Sequence, residues 1–261
     1  MKSTPEYPTI LCIGGLDPSG GAGLPADARA AKHFGVHACC VTTAVIAQNT
    51  RGVFQVEAVS PQLLQAQLEN LLEDIAPRAV KIGMLPNSDS VEIVAACLKS
   101  LNLPIILDPV FAPSSGADFS DDATIQSIVA HLFPLCELVT PNLLEAQRLC
   151  DFAIIDTQSA TEAAKRIRDL GARNILIKGG HAEESDEVCD WLWNGEDLKT
   201  FCAPRIGGTE VRGTGCLLAS AIAAQRACGT DLETATRDAK MWLTEKIREA
   251  KEIGKGRRVA V

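Results

Sequence analysis

Thr9-Ile10-Leu11-Cys12-Ile13 runs directly into Gly14-Gly15-Leu16-Asp17-Pro18-Ser19-Gly20-Gly21-Ala22-Gly23, and then into Leu24-Pro25-Ala26. A short apolar run without alternation reads as a strand covered on both faces. The glycines lead into a helix whose first turn tolerates Pro25. Gly21-Ala22-Gly23-Leu24-Pro25-Ala26 satisfies the dinucleotide-binding pattern literally, but the context is wrong. Seven residues separate it from the strand end, and the next strand closes on Thr42-Thr43-Ala44 rather than on an acidic residue. A nicotinamide-dependent dehydrogenase is therefore the weaker reading. The role left to Gly20 to Gly23 is close approach of the backbone to a ligand, with a plain tight turn as the simpler alternative.

The same strand-then-helix pattern repeats along the chain. Residues 38–45, 79–82, 104–107, 137–139 and 174–177 read as further apolar strands, and helical spacing marks 63–75, 90–101, 160–170 and 216–228. Gly171 and Gly229 stand where helix-ending glycines belong. Residues 188–193 and 198–201, separated by Asn194-Gly195-Glu196-Asp197, predict a late hairpin. The expected fold is α/β: a mostly parallel sheet with helices on both faces, forming one domain over residues 1–261 without linker or internal repeat.

Composition excludes several classes. The 261 residues are 46% hydrophobic and 22% charged, so the chain is neither disordered nor collagen-like. A net charge of −8 without a basic stripe argues against nucleic acid as a partner. Charge, Pro or Gly interrupts every apolar stretch well short of the roughly 18 residues of a membrane span, and the start lacks a secretory pattern. The ten cysteines are scattered and form no Cys-x-x-Cys pair. They are expected to be buried thiols of a cytoplasmic protein, with no structural zinc.

Ligands of parallel α/β sheets bind beyond the carboxyl ends of the strands. The clusters expected there are the glycine stretch after residue 13, then Gln48-Asn49-Thr50, Gly83-Met84, Asp108-Pro109, Thr140-Pro141-Asn142 with Glu145, and Lys178-Gly179-Gly180. Any one of them could be an ordinary polar loop; six on one rim point to a site. Gly213-Thr214-Gly215-Cys216 opens a helix whose unpaired N–H groups and positive dipole end suit a phosphate. At that first turn the field is expected to lower the Cys216 thiol from about 8.5 and make it a proton acceptor, the alternative being a small buried packing residue. Asp108, Asn142 and Glu145 offer the oxygen ligands of magnesium, and Lys178 could touch transferred phosphate oxygens. The Gln48 amide presents a donor beside an acceptor, matching a ring nitrogen next to an exocyclic amine. There is no Walker or protein-kinase signature, so a kinase must use another scaffold.

Taken in order, Asp17–Gly23, Ala47–Thr50, Lys81–Leu85, Asp108–Val110, Thr140–Ala146, Lys178–His181 and Gly213–Cys216 are specific. From about Thr9 through Gly256 the chain resembles the hydroxymethylpyrimidine/phosphomethylpyrimidine kinases of thiamine biosynthesis, members of the ribokinase-like superfamily. The resemblance implies a three-layer ribokinase-like fold. It also implies ATP-dependent phosphorylation of 4-amino-5-hydroxymethyl-2-methylpyrimidine, and then of its monophosphate, with magnesium. On this resemblance Gln48 reads the aminopyrimidine, and Gly15, Asp17, Met84 and Val110 line its pocket. Gly213, Thr214, Gly215 and Cys216 form the anion hole, with Cys216 in the place of an Asp base. Lys178 serves catalysis and the nucleotide, Asn142 and Lys240 approach the nucleotide, and Asp108 and Glu145 hold the metal. A homodimer is the habit of the family. Arg212 (for the usual His), Pro25 (for Gln) and Pro113-Ser114 (for Ala-Lys) depart from its commonest pattern. The rival readings are a pyridoxal-type vitamin kinase, whose members usually carry Asp at the position of Cys216, and a non-catalytic pyrimidine-binding protein.

Overall fold

In the computed structural model, which describes residues 7–111, 120–179, 186–207 and 210–260, strand β1 (Thr9–Leu16) lies inside a nine-stranded sheet. After helix α1 (Gly23–His33), strand β2 (His37–Asn49) pairs with β1 in parallel, and β3 (Gly52–Ala58) turns back against β2. Helix α2 (Pro61–Asp74) then carries the chain to the other flank of β1. There β4 (Ala79–Ile82), α3 (Ser88–Leu98), β5 (Ile105–Leu107), α4 (Asp122–His131) and β6 (Leu138–Val139) follow. Helices α5 (Leu143–Cys150) and α6 (Thr157–Asp169) lead to β7 (Asn174–Ile177), and the hairpin β8 (Glu187–Trp193) and β9 (Leu198–Pro204) closes the edge. The sheet order is β3-β2-β1-β4-β5-β6-β7-β8-β9. The chain reverses its direction of travel across the sheet at β1, so the carboxyl ends of β1 and β4 flank the crevice where such sheets bind ligands. Strand β10 (Val211–Arg212), helices α7 (Thr214–Ala227) and α8 (Leu232–Glu249), and β11 (Arg258–Val259) complete the chain.

Burial on both faces explains the unalternating strands. Leu11, Ile13, Val80, Ile82, Ile105, Leu107, Ile175 and Ile177 join one core with residues of α2, α3, α4 and α6. Ile10, Cys12, Ala79, Ile106, Leu138 and Leu176 face the α1, α7 and α8 side. Lys81 breaks the apolar run of β4 and is only 1% exposed. Gly171 and Gly229 take positive φ just past α6 and α7, as expected. The late hairpin forms, with the Asn194 side chain accepting the Glu196 and Asp197 N–H groups.

Three expectations are corrected. The first strand runs on to Leu16 and the second to Asn49, so Gly14, Gly15, Gln48 and Asn49 lie on strands rather than after them. Strand β2 is carried past the rim by β3, an early antiparallel edge strand with its bulge at Phe54, and β1 follows β2 to Leu16 across a second irregularity at Thr43, beyond which β2 alternates from Ala44 to Gln48. The cysteines are not uniformly buried thiols. Cys40 and Cys228 are exposed, while Cys189 and Cys202, directly opposed on β8 and β9 with Cα atoms 4.0 Å apart, form a disulfide.

Candidate functional site

The glycine stretch is shaped mostly from within. Asp17, buried, accepts the N–H and hydroxyl of Ser19 on one carboxylate oxygen and the Ala22 N–H on the other. Its oxygens organise the turn, so any contact with substrate comes in addition to that duty. Two glycines are required by close packing of backbone. A Cβ on Gly23 (φ +55°) would lie 2.3 Å from the Gly15 carbonyl oxygen, and one on Gly213 (φ +73°) would lie 2.1 Å from that of Gly21. At Gly23, the close approach anticipated for a ligand is made by β1 itself. Pro25 sits in the first turn of α1 without disturbing it.

These contacts draw two helix starts together. Gly213 caps α7, and Cys216, half-buried in its first turn, receives the Gly23 N–H from the start of α1. The expected lowering of the thiol is not found. Desolvation pushes Cys216 up to about 11, reinforced by Asp27 and Asp108, and the Lys81 ammonium opposes the rise without overcoming it. Burial outweighs the Lys81 charge and the Gly23 N–H together.

Beneath the α7 start lies an ion pair. Lys178, just past β7, places Nζ 2.5 Å from Asp108 Oδ1 at the end of β5. A Cβ on Gly215 would meet Lys178 Nζ at 3.2 Å and Asp108 Oδ2 at 3.3 Å. Burial alone would lower the lysine, but Asp108 and Glu145 hold it above its ordinary value. Asn142 and Glu145 form a capping box at α5: the Asn142 side chain accepts the Glu145 N–H, and Glu145 Oε2 accepts the Asn142 N–H at 2.7 Å. Burial raises Glu145 to about 7, opposed by Lys178 and reinforced by Asp108. Two buried carboxylates sharing one ammonium are short of positive charge. Hard oxygen donors in that condition fit magnesium.

On the opposite side of the crevice, a Cβ on Gly15 would press on Ile46 Cδ1 at 2.7 Å and on Met84 Sδ at 3.6 Å, so these three residues form one wall. Thr43 fixes Met84 by donating its hydroxyl to the Met84 carbonyl. Gln48 follows Ile46 by two residues on the same face of β2, half-buried, and its amide makes no hydrogen bond among the described residues. Val110, half-buried, follows Asp108 on the rim. Pro113-Ser114, Gly180 and His181 lie outside the described residues.

Lys240 stands further off. On α8 its ammonium is 2.8 Å from Asp190 Oδ2, and Asp190 Oδ1 accepts the Gly179 N–H, so the lysine braces the loop after β7. Arg212 donates to the Asn49 carbonyl and lies 3.9 Å from Asp17, joining the end of β2 to the glycine stretch. Sequence reasoning also passed over Asp27, which pairs with Lys81, and Ser220, whose hydroxyl donates to Asp27. The available signal was a charged residue inside a four-residue buried strand.

A glycine-capped helix start, set over a lysine and two buried carboxylates at a sheet switch point, is the layout of a small-molecule phosphotransferase of ribokinase-like architecture. Solved relatives agree. Phosphomethylpyrimidine kinase from Clostridium difficile 630 superposes with a TM-score of 0.81 at 32% identity, covering 92% of this chain and 99% of that one. Bacillus subtilis pyridoxal kinase, solved as an ADP complex, gives 0.90 at 28% identity, covering 97% of each. The phosphomethylpyrimidine kinase family model matches residues 17–260, and the chain belongs to that family. Its relative from Synechococcus elongatus PCC 7942, a hydroxymethylpyrimidine/phosphomethylpyrimidine kinase, is 41% identical over 249 residues, 95% of either chain.

Proposed function

We propose that this chain transfers the γ-phosphoryl group of ATP to the hydroxymethyl group of 4-amino-5-hydroxymethyl-2-methylpyrimidine, and then phosphorylates the monophosphate, as a step of thiamine biosynthesis. The observation that carries the reading is the Gln48 amide, without a hydrogen-bond partner among the described residues and two residues beyond Ile46 on the strand that walls the crevice with Gly15 and Met84. From there direct contacts run through Gly15 and Gly23 to Cys216 in the α7 first turn. A heterocycle held by Gln48 would present its alcohol toward that turn.

Phosphoryl transfer needs little covalent help from the protein. The α7 N–H groups, with Gly213, Thr214 and Gly215 as their frame, stabilise charge on the migrating group, and Lys178 neutralises its oxygens. Asp17 keeps the glycine turn in shape, Val110 and Met84 bound the ring, and Asn142 and Lys240 support the nucleotide end. Asp108 and Glu145 would hold magnesium, largely through water, which supplies neutralisation of phosphate charge when bound. Cys216 takes the alcohol proton late, when bond formation has made it acidic, so a scarce thiolate suffices.

A pyridoxal-type kinase remains the second reading, because the sheet and crevice are shared with a pyridoxal kinase. The greater identity to a hydroxymethylpyrimidine/phosphomethylpyrimidine kinase favours the first. Incubation with hydroxymethylpyrimidine, its monophosphate or pyridoxal, with ATP and magnesium present or withheld, tests both. ATP- and magnesium-dependent product from the two pyrimidines supports the proposal; product from pyridoxal alone overturns it. The reading includes one domain over residues 1–261 and a homodimer in the cytoplasm. Leu16 and Val45, paired in register, and the nearby bulge residue Phe54 are exposed apolar side chains at one end of the sheet, a surface that a second copy would cover. Among the described residues no helix is long and apolar enough to cross a membrane.

A further inference from the structure

Lys81 is the least expected side chain in the sheet. It lies on the α1 and α7 face of β4, 1% exposed, and Nζ is 2.9 Å from each carboxylate oxygen of Asp27, itself fully buried on α1. Asp27 Oδ1 also accepts the hydroxyl of Ser220 at 2.8 Å. Ser220 is buried on α7, one helical turn beyond Cys216. The neighbouring Gly83 makes room, since a Cβ there would stand 2.8 Å from the ammonium. Three groups from three elements thus meet under the crevice: β4, which delivers Gly83 and Met84; α1, which delivers the Gly23 N–H; and α7, which delivers the anion cradle.

Fold stability gives a poor account of this cluster. Removing an ammonium and a carboxylate from water costs more than their attraction commonly returns, and apolar residues of similar volume often serve a core at least as well. What apolar residues cannot supply is a fixed dipole. Among the charges that favour a thiolate at Cys216, Lys81 acts most strongly, and Asp27 is the strongest opposing one. The positive end of the pair is therefore the end that Cys216 feels more.

We propose that Lys81 and Asp27 are positioning residues for phosphoryl transfer: their ion pair, tied through Ser220 to α7, holds the first turn of that helix in register with β4 and turns a permanent positive end toward it. This rests on the reading of the α7 first turn as the transfer site. A preorganised charge of this kind acts on the transition state and leaves substrate binding alone.

The test compares the full-length parent with Lys81→Met/Asp27→Leu/Ser220→Ala, in which the whole cluster becomes apolar, and with Cys216→Ser. The triple variant should keep a thermal midpoint at or above that of the parent and KM values for pyrimidine and ATP within about twofold. Its kcat should fall about tenfold to a hundredfold, the range typical of residues that support a first layer of ligands. A kcat equal to that of the parent overturns the proposal. If the triple variant does not fold, Lys81→Gln replaces it, keeping a donor for Asp27 without the charge; the same kcat loss at constant KM supports the proposal, and an undiminished kcat overturns it. Cys216→Ser separates the two levels. An active Cys216→Ser enzyme refutes Cys216 as the proton acceptor at the α7 turn, whereas an inactive one beside a fully active triple variant refutes only the role of Lys81 and Asp27.

Discussion

Lys178 and Asp108, contributed by the ends of β7 and β5, stand 2.5 Å apart directly under Gly215. The lysine is the ammonium between two buried carboxylates and faces the helix start that would receive phosphate. Lys178→Met should lower kcat by about a hundredfold to a thousandfold, the usual loss for one charge-stabilising donor. KM for the pyrimidine should change little, because the ring is read from the other side of the crevice. Steady-state kinetics with each substrate varied in turn checks this; a loss confined to pyrimidine KM would contradict it.

Gln48 has no partner among the described residues, so removing its amide strands nothing inside the protein. Gln48→Ala should therefore fold normally and weaken pyrimidine binding by a few kcal/mol, roughly the cost of losing two buried hydrogen bonds to a polar ligand. Titration calorimetry with the pyrimidine and, separately, with an unreactive ATP analogue gives the answer. An effect on the nucleotide alone would move the pocket elsewhere.

Much of this arrangement was legible in the residues because the cues are local. A strand that must be buried on both faces is nearly all apolar, and a glycine that must end a helix is followed by a change of pattern, as at Gly171 and Gly229. Cys216 was found because a glycine turn opens its helix. Its protonation was misjudged because desolvation depends on what packs around the thiol, and Lys81, Asp27 and Asp108 all come from distant parts of the chain. Strand β3 was missed for a related reason. Its residues include the strand formers Val53, Phe54 and Val56, but the bulge at Phe54 breaks their alternation, and what makes it a strand is pairing with β2. Cys189 and Cys202 became partners only through the register of a hairpin.

With burial holding its thiol near 11, Cys216 should react slowly with iodoacetamide at neutral pH. Its alkylation rate, followed by mass spectrometry of the peptide that contains it, should keep rising beyond pH 9 without a plateau. Saturating pyrimidine should protect it if the substrate alcohol occupies the α7 turn. A plateau below pH 8 would mean that the helix dipole outweighs desolvation after all.

Glu145 makes stability depend on pH. Burial raises its carboxyl from the ordinary 4.5 to about 7 in the folded chain, so the folded state holds a proton that the unfolded state has already released. This contribution is complete below about pH 4.5, shrinks as pH climbs toward 7 and is gone above it. Glu145→Gln keeps an oxygen for the Asn142 N–H and never ionises, so it should show none of this dependence. Urea unfolding of both proteins at pH 5 and pH 8 isolates the effect, because every other titrating group is common to the two. The variant should gain on the parent by about one to a few kcal/mol between those conditions. Magnesium should then raise the unfolding midpoint of the parent at pH 8, by engaging the ionised carboxylate, and do less for the variant. An identical pH response in the two proteins would place the raised proton affinity on some group other than Glu145.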